Sequence, residues 1–418
     1  MVALAAAFAA CGASGQASTS GAASTGTSGG ASAGSGSGAG TGTSSGGRTG
    51  ASSSGGGTSS TSGSTTGSSG GTGLWVTGYY TGWDSSGYPV SAVDFAALTH
   101  VVVGPVLPNA DGSLDATFSL GNAGPAWATS AVTAAHAAGD AALLWVGGSG
   151  SESGFLGATS SAHLPAFVAD LRAAMSQFGA DGVDLDWEPL APNDEASFTG
   201  LLQALRAAVP SAVITMPVGT LDVNTDRVDP FYASAAQLVD QMNLMSYGMA
   251  GAWQGWQSWH SSPLSGESPT TPESIDTSVS AYLQAGVPAA KVGLGVGFFG
   301  LCYTPPVTGP KQALGGSTIA ASDGVMTYAH IVADYLPAMT YAFDPTAQVP
   351  YLGNATAVGP EGCSYVSYDD PSSIAAKGQY AKAHGLGGTI LWELAEGYVP
   401  GGAQGGNALL EAVRQGFR

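Results

Sequence analysis

Basic residues are scarce: 10 Lys and Arg face 29 Asp and Glu in 418 residues, a formal net charge of −19. Residues 1–73 hold no acid and only Arg48 as a base, so the rest of the chain carries the whole acidic excess. Such a field repels polyphosphates and anionic surfaces. It argues against a nucleic-acid partner and leaves a neutral polymer unopposed. Beyond the N-terminus no apolar run reaches the ~18 residues of a membrane span. Histidine is thin as well: His100, His136, His163, His260, His330 and His384 are scattered, with no Cys/His pair at metal-ligand spacing. Neither a metal nor a cofactor is expected.

Cysteine occurs three times, at Cys11, Cys302 and Cys363. Residues 2–10 are apolar and end in Phe8-Ala9-Ala10 directly before Cys11, although no Lys or Arg precedes them and Phe8 stands where Leu is usual. The stretch resembles a bacterial lipoprotein signal. That implies a lipid on Cys11 and a secreted or cell-surface location, with membrane contact only through the lipid. The alternative is an ordinary export signal in which Cys11 is incidental. In an exported protein Cys302 and Cys363 pair as a disulfide or stay as two separate buried thiols.

Residues 12–73 are Gly, Ala, Ser and Thr apart from Gln16 and Arg48. A segment without apolar side chains cannot offset the entropy of ordering, so it reads as a flexible tether. Residues 74–418 remain, enough for one large domain with a substantial core. There, short apolar runs alternate with helical patterns. Strands are expected at Leu74–Tyr80, Thr99–Pro105, Ala141–Gly147, Gly182–Glu188, Ala212–Pro217, Gln241–Tyr247, Val292–Gly297 and Thr389–Leu394. Helical periodicity runs from Leu164 to Phe178, over Glu195–Val209 and over Pro272–Ala285. Eight strands, each followed by a helix or long crossover, predict a parallel sheet closed as a (β/α)8 TIM barrel. The open doubly wound alternative lacks a Gly-rich phosphate turn. Residues 301 to about 384 are too long for a simple crossover and read as a small insertion between the seventh and eighth strands.

The most informative stretch is Asp181-Gly182-Val183-Asp184-Leu185-Asp186-Trp187-Glu188. On a strand, Val183, Leu185 and Trp187 share one face, and Asp184, Asp186 and Glu188 share the other, the barrel interior. Same-face neighbours lie roughly 6.6–7 Å apart, so three carboxyls crowd a poorly hydrated space. At least one must hold a proton at neutral pH. An acid kept protonated at the end of a barrel strand is suited to protonating a leaving-group oxygen.

Every acid of this run matches the DxxDxDxE signature, and the chain resembles family 18 glycoside hydrolases, the chitinases and their relatives. The resemblance implies that Glu188 is the general acid/base and that the substrate's N-acetyl oxygen is the nucleophile, with retention at the anomeric carbon. Asp186 would orient the acetamido N–H, Asp184 would tune Asp186, and Asp181 would be structural. It also implies that Tyr79 lies under the acids, that Tyr247 bonds the acetamido oxygen, and that Gln241 and Met245 line the pocket with it. Trp392 would form the floor beneath the sugar. Trp253 is the preferred sugar platform among face-loop aromatics that include Tyr80, Trp83, Trp127, Trp256 and Trp259.

Three positions depart from the family pattern: Trp145 replaces Ser in SxGG, Ser149 stands where Trp is frequent, and Gly248 follows Tyr247 in place of Asp or Asn. The implied activity is hydrolysis of β-1,4 linkages in chitin or N-acetylglucosamine oligomers. The alternatives are an endo-β-N-acetylglucosaminidase on N-glycans and a non-catalytic chitin-binding lectin.

Overall fold

The structure, a computed structural model, describes residues 73–418 except Thr225 and residues 403–405. The expected signal segment, the lipid site at Cys11 and all of the tether before Gly73 lie outside the described residues. Strands β1 (Trp75–Thr81), β2 (His100–Pro108), β4 (Ala141–Ser149), β5 (Gly182–Glu188), β6 (Val213–Val218), β7 (Gln241–Leu244), β8 (Val292–Gly297) and β14 (Gly388–Trp392) are parallel. The two-residue β3 (Leu114–Asp115) only folds back on β2. Neighbours run β1-β14-β8-β7-β6-β5-β4-β2, and β1 pairs with β2, so the eight strands close into a (β/α)8 barrel.

Eight expected strands are present, within a few residues at each end. The sixth is shorter than its apolar run suggested: after Leu244 the chain turns, with Ser246 N–H donating to the Leu244 carbonyl at 2.8 Å. Helices α1 (Gly124–Ala138), α2 (Glu152–Ala158), α3 (Leu164–Phe178), α4 (Glu195–Ala208), α5 (Pro230–Ala235) and α6 (Ile275–Gln284) cover the outer face. Helix α6 begins later than its Thr-Pro-Glu signal implied. Ser274 is the cap, its side chain accepting from Thr277 N–H at 3.2 Å.

The insertion has its own antiparallel sheet of β9 (Gly300–Tyr303), β10 (Ile319–Ala321), β11 (Thr340–Asp344), β12 (Val349–Val358) and β13 (Cys363–Tyr368), in the order β10-β9-β13-β12-β11. A short turn, α7 (Tyr328–His330), lies within it. Cys302 on β9 and Cys363 on β13 form a disulfide with Cα atoms 5.2 Å apart. The insertion ends near Tyr368, not His384, because the next helix, α8 (Pro371–Ala383), belongs to the barrel wall and packs on the C-terminal α9 (Ala408–Phe417). Asp370 caps α8, and the buried Lys377 ammonium meets Asp369 at 2.5 Å. Among the described residues no helix is long and apolar enough to cross a membrane.

The parity of β5 is as its pattern demands. Val183, Leu185 and Trp187 are buried in the outer core, where Trp187 stacks on Phe155 with ring centroids 4.9 Å apart. The opposite face enters the barrel. There a separate apolar cluster of Tyr79, Val102, Leu143, Trp145, Tyr247, Phe299 and Ile390 fills the interior around the acids.

Candidate active site

Three carboxyls rise along the inner face of β5. Asp184 is fully buried and accepts from Tyr79 Oη at 2.7 Å on one oxygen and from the Thr215 hydroxyl on the other. Burial pushes its pKa up to about 6 against the pull of these two donors. Asp186, 4% exposed, accepts from Trp145 Nε1 at 3.0 Å. Its pKa is driven well above the carboxylate range, first by burial and then by the charges of Glu188 and Asp184. Glu188 ends the strand, partly exposed, and burial lifts it to about 7 even though a hydrogen bond with Asp186 pulls it down. The row therefore retains protons at neutral pH. They are shared among coupled groups, with Asp186 the strongest holder.

Tyr247 is buried beside this row. Burial and the charges of Glu188, Asp186, Asp323 and Asp184 keep its phenol protonated far beyond its usual range, so it remains a donor. Space for the ring comes from β8: a Cβ at Gly295 would lie 2.8 Å from Tyr247 Cε1. Trp392 sits across the interior, its ring centroid 5.2 Å from those of Tyr79 and Trp145. Its Nε1 donates to both oxygens of Asp323 at 3.0 Å. Met245 packs on the same cluster.

Several expected positions differ. Gln241 faces the interior as parity required, but its amide oxygen accepts from Thr77 Oγ1 at 2.9 Å and Asn243 Nδ2 at 3.3 Å. It belongs to the polar layer with Thr77, two residues before Tyr79 on β1, and is 3% exposed, so its amide is engaged in the barrel and not in the pocket. Trp259 is fully buried and donates to the Glu273 carbonyl. Tyr80 points outward into the core and donates to the Tyr88 carbonyl at 2.6 Å, with Trp127 packed on it. These three are core residues. Trp253 and Trp83, 38% and 43% exposed, keep open rings; Trp253 meets Trp256 edge-on, with ring centroids 4.5 Å apart. Asp181 lies off the row, accepting from Ala142 N–H and meeting His136 Nε2, each at 2.8 Å, a structural placement.

Sequence reading missed a second group of acids. Glu393 and Glu396 follow β14, Asp84 follows β1, and Asp323 comes from the insertion. Trp83 Nε1 donates to Glu393 at 3.1 Å and Gly324 N–H to Glu396 at 2.6 Å. Burial first, then the charge of Glu396 on Glu393 and of Asp323 on Glu396, raises both well above their usual range. Thr215 and Trp145 were missed as partners of the row, although both occupy positions in register with Asp184 on neighbouring strands. Among the described residues no group of three or more His, Cys, Asp or Glu could hold a metal ion.

Known proteins share the sequence pattern and the fold of this chain. Residues 76–397 match the sequence pattern of Glycosyl hydrolases family 18. A chitinase-like effector from Moniliophthora roreri is 26% identical over 81% of this chain and 91% of its own length. Chitinase A1 from Niallia circulans is 32% identical over 53% of this chain, a stretch that covers 35% of that enzyme. The crystal structure of Ostrinia furnacalis Group IV chitinase in complex with allosamidin shares the fold, with a TM-score of 0.71 at 24% identity over 82% of this chain and all of that one.

Proposed function

The chain belongs to glycosyl hydrolase family 18, and from that premise we propose that it is a retaining glycosidase that cleaves β-1,4 linkages in chitin or N-acetylglucosamine oligomers. The observation that carries this reading is the row of coupled carboxyls ending at Glu188, beside the phenol of Tyr247 in an interior cluster against which Trp392 packs.

In the proposed reaction Glu188 delivers its proton to the glycosidic oxygen as the bond to the anomeric carbon breaks. The substrate's own acetamido oxygen attacks that carbon from the opposite face, the substrate-assisted route that replaces a second carboxylate nucleophile. Asp186 accepts the acetamido N–H, and Tyr247 donates to the acetamido oxygen. The cyclic oxazolinium so formed is then attacked at the anomeric carbon by water, which gives its proton to Glu188 as the bond to the acetamido oxygen breaks, restoring the starting anomer. Asp184, held by Tyr79 and Thr215, keeps negative charge close to Asp186 and favours its holding a proton. Tyr79 acts through Asp184. The open rings of Trp83 and Trp253 offer apolar faces to neighbouring sugars.

The test is incubation with N-acetylglucosamine oligomers, with products resolved by size and anomeric form. β-Anomeric shorter oligomers from the parent and none from Glu188→Gln are expected. Unchanged turnover in Glu188→Gln would overturn the assignment. A second reading is a chitin-binding protein without turnover. It is favoured by similarity to a protein named a chitinase-like effector and by the altered positions Trp145 and Gly248. Binding of the oligomers without products by the parent would establish it. Cleavage of a high-mannose glycopeptide in preference to chitin oligomers would instead point to N-glycans. Surface attachment through Cys11 is a further proposal, resting on residues 2–11 alone. An unmodified Cys11 thiol in cell-produced protein would end it.

A further inference from the structure

Trp145 stands inside the barrel on β4, 4% exposed, against the middle acid of the row. Its Nε1 donates to Asp186 Oδ2 at 3.0 Å. The indole meets three other rings edge-on, with centroids 5.8 Å from Tyr79, 5.2 Å from Trp392 and 5.6 Å from Trp83. Two glycines make its slot. A Cβ at Gly104 would lie 2.6 Å from Trp145 Cβ, and one at Gly148 would lie 2.6 Å from Cζ2. A ring confined on this many sides cannot swing, so its N–H has a fixed aim.

We infer that Trp145 is a positioning residue: its indole N–H fixes the Asp186 carboxyl and supports the ionised form of that group during the cleavage proposed above, on which this inference rests. The chemistry of the donor matters. An indole N–H donates but neither accepts nor titrates, so it cannot draw off the proton that Asp186 and Glu188 share. It also adds no charge to a row already crowded with acids. Asp186 is faced by Glu188 and Asp184, whose charges raise its proton affinity, and by the phenols of Tyr247 and Tyr79, which feel its charge. Against these, the bond from Trp145 pulls the other way. Removing it leaves Asp186 both freer to rotate and harder to ionise.

Trp145→Phe keeps an aromatic ring and deletes only the donor. A hydrogen bond to a charged group supports a fall in kcat/KM of about tenfold, expressed mainly in kcat, with KM changed less than about threefold. The limb of the pH–rate profile that reports Asp186 moves to higher pH, by about half a unit or more, because that carboxyl loses a donor that favours its ionised form. A variant with the parent's profile and rate would overturn the inference. If the variant fails to fold, the parent protein decides. In protein labelled at Trp and Asp, the Trp145 indole N–H resonance should shift with the same midpoint as the Asp186 carboxyl carbon. An indole resonance that stays flat through that titration would overturn it. Absence of oligomer hydrolysis by the parent would instead remove the enzymatic reading, while the indole titration still tests the contact.

Discussion

Two sets of carboxyls gather around the rings of Tyr247 and Trp392 and are built on different principles. The row Asp184, Asp186 and Glu188 comes from a single strand, so its spacing is set by the pleat and cannot drift. Its two inner members each have neutral donors of their own: Tyr79 and Thr215 on Asp184, Trp145 on Asp186. The second set, Asp84, Asp323, Glu393 and Glu396, is gathered from three separate segments around Trp392. It ties the insertion, through Asp323 and Gly324, to the end of the barrel, through Trp392 and Glu396. The contrast separates two uses of a retained proton. In the row the last acid is partly exposed, as the proposed donor must be. In the second set the protons stay on Glu393 and Glu396, which are enclosed among neighbouring acids, while Asp323 takes up the Trp392 indole.

The largest way to break this contrast is Glu188→Gln. Loss of a general acid should lower turnover by about a thousandfold or more while oligomer binding survives. Asp323→Asn attacks the second set. The Trp392 indole keeps a neutral acceptor but loses a charged one, so a loss of about three- to tenfold, mostly in KM, is expected from steady-state kinetics. If Asp323→Asn were as damaging as Glu188→Gln and acted on kcat alone, the division of roles would fail.

A separate effect is on stability, and its sign is the reverse of its effect on activity. Folded Glu188 holds its proton up to about 7, whereas its ordinary value is 4.5. The folded state therefore binds more protons between those values, and its stability falls as pH rises through that window. Glu188→Gln should be more stable than the parent at pH 8, by roughly 1–3 kcal/mol, and no different at pH 4. Denaturant unfolding at the two pH values measures this. A parent at least as stable as the variant at pH 8 would contradict it.

The barrel and the acid row were legible because both follow from period. Buried parallel strands read as continuous apolar runs, and the alternation in Val183–Glu188 assigns each side chain to a face. Parity gives the face but not the depth. Gln241 shares the inner face with Tyr247, yet its amide is spent on Thr77 and Asn243 in a different layer. Aromatic content was equally ambiguous. Trp259, Tyr80 and Trp127 have the composition of sugar platforms, but their neighbours in space make them core, as no local pattern announces. Asp323 was invisible for a different reason. It meets Trp392 across 69 positions of sequence, from a loop whose course depends on the insertion's own sheet. The insertion's end was misread because α8 (Pro371–Ala383) lacks a clear apolar stripe, burying Ser373, Lys377 and Gly378 beside Ile374 and Ala381.

Direct titration of the Glu188 carboxyl in the folded, unliganded protein, by carbon NMR of glutamate-labelled material, tests the central claim most plainly. A midpoint near 7 that falls when Asp184 is changed to Asn is the expected result. A midpoint near 4.5, indifferent to Asp184, would show that the row holds no proton for catalysis.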